Sequence, residues 1–95
     1  MTFKQIKIAC IIMYRINISK KYERLDVTSQ DYAVRVAVVK MLRQQDKAAY
    51  TYQRIADLMG FNSTSTSKNY YMEKETQAVQ LYTQQIKQHI DEVQT

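Results

Sequence analysis

Glycine occurs once and proline not at all in the 95 residues, and the chain holds one cysteine, one histidine and no tryptophan. Turn-rich β architectures and phosphate-cradling loops both consume glycine, so the composition argues against a Rossmann fingerprint, a P-loop and a many-turned β-sandwich. With Cys10 and His89 the only residues of their kinds, a Cys/His zinc site cannot assemble its ligands, and a catalytic triad would rest on His89 alone. A lone cysteine makes no intrachain disulfide, which suits a reducing compartment. No stretch approaches the ~20 apolar residues of a transmembrane helix. The longest apolar-rich segment, residues 6–18, is interrupted by Lys7, Arg15 and Asn17. Lys4 and Lys7 ahead of residues 8–13 imitate a signal peptide, but Tyr14 and Arg15 follow where small cleavage-site residues belong. The chain is therefore expected in the cytoplasm, with no membrane and no cofactor. Neither paired carboxylates nor a nucleophile–base pattern is evident, and Asp57 reads as a solvated acid, so the expected role is not enzymatic.

What remains is one domain's worth of chain, with 45% hydrophobic residues and a formal charge of +5. That charge is uneven. Residues 1–60 hold eleven Lys/Arg against five acids, and residues 61–95 hold three against four, a balance of +6 and then −1. A small basic domain attracts polyanions, nucleic acid among them.

The pattern predicts an all-α fold, a compact bundle of about five helices. Phe3, Ile6, Cys10 and Met13 recur at spacings of three and four, the mark of a helix over residues 3–15, although the β-branched Ile8, Ile11 and Ile12 also permit a strand. Residues 16–27 read as a short helix or a basic connection carrying Lys20, Lys21 and Arg24. Thr28 and Asp31 form a capping-box-like start for a helix running to about Gln45, with apolar residues broad enough for a central position. Asp46 begins a short polar break. Thr51 then caps residues 52–59, whose inward stripe is Tyr52, Ile55, Ala56 and Met59, and Gly60 stops it at a left-handed position. From about residue 66 to residue 93 the sequence reads as one long amphipathic helix, or as two with a bend at residues 73–76. Its stripe is Ala78, Tyr82, Ile86 and Ile90, flanked by Val79 and Val93.

Residues 51–71 have the organisation of a helix-turn-helix: a short helix with a small residue at the crossing (Ala56), Gly60 in the turn, Phe61 as apolar anchor, and a second helix. The run Asn62, Ser63, Thr64, Ser65, Thr66, Ser67 precedes Lys68 and Asn69. These side chains donate and accept, asparagine pairs bidentately with adenine, and a threonine methyl meets the thymine methyl. The same hydroxyls also serve as ordinary helix caps. Of the eight tyrosines, most read as boundary residues, with Tyr70 and Tyr71 placed so that at least one faces away from the core. Arg35 reads as a phosphate-clamp candidate on the central helix.

Over residues 11–74 the sequence resembles the DNA-binding C-terminal domain of the bacterial replication initiator DnaA, a Trp-repressor-like helix-turn-helix. Residues 55–67 (IADLMGFNSTSTS) stand where that family has a segment of the type IGxxFGGRDHTTV, and residues 14–18 (YRINI) look like its tyrosine-rich entry to a basic loop. The resemblance implies that Thr66 and Ser65 contact bases or phosphates. Ser63 and Thr64 stand where the family has Asp and His, Phe61 and Asn62 replace a glycine and an arginine, and Ser67 replaces a valine. Lys20, Lys21 and Arg24 correspond to the basic loop, whose arginine enters the minor groove. The implied function is sequence-specific binding of double-stranded DNA in replication or transcription control, through Ser63, Thr64, Ser65, Thr66, Lys68 and Asn69 with Lys20, Lys21 and Arg24 on the backbone. Without a nucleotide-binding motif the chain is not a complete initiator ATPase. The rival expectation is a protein-interaction module that makes a homodimer or docks a partner through the C-terminal helix.

Overall fold

Serine and threonine hydroxyls start four of the helices. In a computed structural model, which describes residues 1–20 and 29–94, the five helices are α1 (Phe3–Tyr14), α2 (Gln30–Gln45), α3 (Tyr52–Met59), α4 (Thr64–Met72) and α5 (Gln77–Gln94), all but α4 capped in this way. Thr2 caps α1 in a reciprocal box, its Oγ1 accepting the Gln5 N–H while Gln5 Oε1 accepts the Thr2 N–H. Ser29 Oγ accepts the Tyr32 N–H at 3.1 Å, Thr51 Oγ1 the Arg54 N–H at 3.1 Å and Thr76 Oγ1 the Val79 N–H at 3.2 Å. Thr28, expected as the cap of α2, lies outside the described residues together with Lys21, Tyr22 and Arg24.

The described residues form an all-α bundle, with a Cα radius of gyration of 12.2 Å and extents of 36 × 30 × 22 Å. α2 is its centre, packing against α1, α4 and α5, while α3 rests on α4 and α1 on α5. Six consecutive α2 residues, Val34, Arg35, Val36, Ala37, Val38 and Val39, are buried, which a helix achieves only when neighbours cover it from several sides. Ile6 and Cys10 of α1, Ile55 and Met59 of α3, Tyr70 of α4, and Val79, Ile86 and Ile90 of α5 complete the core around it, joined by Ile16 and Ile18. Segment 3–15 is thus a helix and not a strand, its β-branched residues notwithstanding.

Two expectations change. Residues 66–93 do not form the single long helix but take the alternative of two with a bend at residues 73–76: α4 ends at Met72, Glu73 is extended (φ −62°, ψ 146°), and α5 begins at Gln77. Side-chain bonds hold that corner. Tyr32 donates its hydroxyl to the Glu73 carboxylate and Thr76 caps α5, so the chain turns and both helices bury a face on α2. The stripe of α5 holds at Tyr82, Ile86 and Ile90 and differs only at its first position, where the flanking Val79 is buried and Ala78 is exposed; Val93 is exposed.

Arg35 is the second correction. It is 3% exposed and clamps no external phosphate. Its Nε donates to Asp31 Oδ1 at 2.8 Å, Nη1 to the carbonyls of Ile18 (3.2 Å) and Lys20 (2.8 Å), and Nη2 to that of Asn17 (3.0 Å). A planar guanidinium with donors on three sides suits three carbonyls and one carboxylate; an ammonium does not.

Candidate nucleic-acid interface

The pairing of α3 with α4 begins at Gly60. At φ 72°, ψ 26° it takes the left-handed conformation, and Phe61 N–H donates back to Ala56 O at 2.9 Å, closing α3. Ala56, 2% exposed, and Ser67, fully buried, are small side chains on the inner sides of the two helices and let them approach. Phe61 stacks on Tyr70, ring centroids 4.8 Å apart and planes 15° apart, and Tyr70 meets Tyr32 of α2 at 5.1 Å. Burial pushes the Tyr70 hydroxyl up to about 12, against the opposing charge of nearby Arg35. The pair is therefore seated on α2 through a continuous aromatic stack.

This seating divides α4 into two sides. Ser67 and Tyr70 face the core, and Thr66 and Tyr71 are half-buried. Thr64, Ser65, Lys68, Asn69 and Met72 are exposed, and at positions i, i+1, i+4, i+5 and i+8 they share one face. Of the residues expected to act here, the structure thus brings Thr64, Ser65, Lys68 and Asn69 together, with Ser63 exposed in extended backbone just ahead of the helix. Thr66 stands less open, its hydroxyl 3.3 Å from that of Ser63. Ser63 gives α4 no side-chain cap, so this helix start differs from the other four and presents amide donors and the positive end of the helix dipole beside Thr64 and Ser65. Thr64 Oγ1 donates to Gln53 Oε1 of α3 at 2.7 Å, and Gln53 Nε2 donates to Asp57 at 2.9 Å.

Met72, 69% exposed, and Gln53 were not singled out in the sequence. Met72 was findable, lying four residues after Lys68 and eight after Thr64; Gln53 was not, because its place beside Thr64 depends on how the two helices cross. Tyr71 does not offer a free ring. It packs on Tyr52 at 6.1 Å, with Lys40 Nζ 5.9 Å and the Arg43 guanidinium 5.7 Å from its centroid. Arg43 lies 4.2 Å over Tyr52 and donates Nη1 to the carbonyls of Lys47 and Tyr50, so it closes the α2–α3 corner.

Of the basic loop, the structure describes Lys20, exposed and held through its carbonyl by Arg35; Lys21 and Arg24 lie outside the described residues. Among the described residues no cluster of His, Cys, Asp and Glu is arranged to hold a metal, and no helix is long and apolar enough to cross a membrane. Compared with known proteins, the chain matches no family model, no curated protein and no solved structure.

Proposed function

We propose that the protein binds double-stranded DNA with sequence preference, using α3, the turn at Gly60 and α4 as a helix-turn-helix, in replication or transcription control. The observation that carries this reading is the exposed face of α4. Thr64, Ser65, Lys68 and Asn69 stand together on a short helix whose opposite side is locked to the core, and these side chains can address base edges and phosphates. The net charge of +5 favours a polyanion, and the reading is supported by the small, buried Ala56 of α3 and the left-handed Gly60 that ends it.

Division of labour follows from chemistry. Asn69 suits an adenine edge and Thr64 a thymine methyl, while Lys20, and Lys21 and Arg24 in the same basic stretch, hold the sugar-phosphate backbone. Each good base contact is worth roughly 1–3 kcal/mol of discrimination. Titration into random duplex at several salt concentrations is expected to show affinity that falls steeply with salt. Alanine at Thr64 or Asn69 should narrow the difference between preferred and random sequences. Alanine at Lys20, Lys21 and Arg24 should weaken all duplexes alike and flatten the salt slope. Absent binding, or binding indifferent to salt, refutes the reading.

A further inference from the structure

The isoleucines of α1 divide between its two sides. Ile6 is fully buried, but Ile8, Ile11 and Ile12 are 45%, 42% and 62% exposed. Lys4, Ile8 and Ile11 follow one another at spacings of four and three on the outer face of the helix, and exposed Arg15, left-handed at φ 58°, closes its C-terminal end, so that the isoleucines lie between two cations in the chain. Ile12 turns from this face toward α5, where Ile8, Ile12, His89, Ile90 and Val93 line a groove of about 180 Å³. That is the space of about six waters at roughly 30 Å³ each, enough to seat one large apolar side chain. Val93, at its rim, is 69% exposed.

Charge selects the occupant. α1 contains no Asp or Glu, and Lys4, Lys7 and Arg15 make no ion pair among the described residues. The acids at the end of α5 are Asp91 and Glu92, and Glu92 accepts a hydrogen bond from Gln88. A second copy is a poor fit: setting α1 antiparallel on its twin with Ile8 over Ile11 brings Lys4 opposite Arg15 at both ends. A lipid surface would need only a convex stripe, whereas a concave seat between two helices receives a protein side chain.

We propose that the outer face of α1, with its groove against α5, docks an acidic amphipathic helix of another protein. One apolar side chain of the partner fills the groove and its neighbours cover Ile8 and Ile11. Its carboxylates pair with Lys4 near the start of α1 and with Arg15 at its C-terminal cap. The residues involved lie on α1 and α5, so this inference stands apart from any DNA binding by α4.

The probe is a synthetic helical peptide with leucines at spacings of three and four and glutamates at both ends, beside a twin carrying lysines in their place. Fluorescence anisotropy of the labelled peptides against the full chain is expected to show binding of the glutamate peptide only. Ile12→Glu, an exposed substitution checked for folding by circular dichroism, should weaken it roughly tenfold or more. The charge-reversed protein Lys4→Glu/Arg15→Glu should exchange preference and take the lysine peptide. Failure of both peptides to bind, or binding indifferent to their charge, overturns the proposal. So does a dimer in sedimentation that Ile12→Glu dissolves, or retention on phosphatidylserine vesicles that the same substitution abolishes.

Discussion

Arg35 and Ser67 are the two buried polar side chains of the described core, and they stand in opposite positions. Arg35 has a partner for each face of its fork, and removing it would leave three backbone carbonyls and the Asp31 carboxylate without their donor. Arg35→Met should therefore cost about 3 kcal/mol or more in urea unfolding, the range for breaking a buried ion pair from one side. Arg35→Lys should recover only part of that loss, since one ammonium cannot span the four acceptors. The Ser67 hydroxyl has no partner. Ser67→Ala keeps the small volume that lets α3 and α4 approach, removes an unsatisfied donor and improves helix propensity, so it should stabilise the fold by about 1 kcal/mol. Neither role was legible in the sequence. An arginine on a helix reads as solvent-facing or anion-binding until the carbonyls around it are placed, and those belong to a segment more than a dozen residues upstream.

At the scale of elements, α3 was the most legible, because a threonine cap, an apolar stripe and a glycine stop are all local signals and all agree. Gly60 occupies a left-handed position at which a Cβ costs about 1–2 kcal/mol, and its turn fixes how α4 leaves α3. Gly60→Val should lower the unfolding free energy by at least that amount. In the folded fraction, amide shifts should change along α4 more than along α1. The corner at residues 73–76 was less legible. Thr76 is a fair cap by itself, but the other half of the signal is the Tyr32 hydroxyl on Glu73, a contact across 41 positions that no local window contains. The first position of the α5 stripe was illegible for a similar reason: Ala78 and Val79 both fit a helical repeat, and packing on α2 decides which is inside.

For the whole molecule, burial favours the neutral forms of Cys10 and of three tyrosines. Burial pushes the Cys10 thiol from 9.0 up to about 12, and the Tyr14 and Tyr70 hydroxyls from 10.0 up to about 12, with Tyr32 raised as well. In the unfolded chain these groups lose their protons first, so the native state holds protons that the unfolded state has released. Stability is then complete below about pH 9 and declines as pH rises from there toward 12. Urea midpoints measured across that window should fall steadily. A flat midpoint would mean that the tyrosines ionise freely in the native bundle.

The enclosure of α2 has a consequence for divisibility. α1, α4 and α5 all pack on this helix, and its run of valines belongs to the one core that they share. A fragment stopping after α4 would lay bare the surface that Val79, Ile86 and Ile90 occupy, and one beginning at α3 would lose the wall on which Tyr70 rests. The α3–α4 unit, residues 51–72, is far shorter than the ~40 residues below which a core rarely holds unaided, so a peptide of those residues is expected to show little helical circular dichroism without the α2 wall.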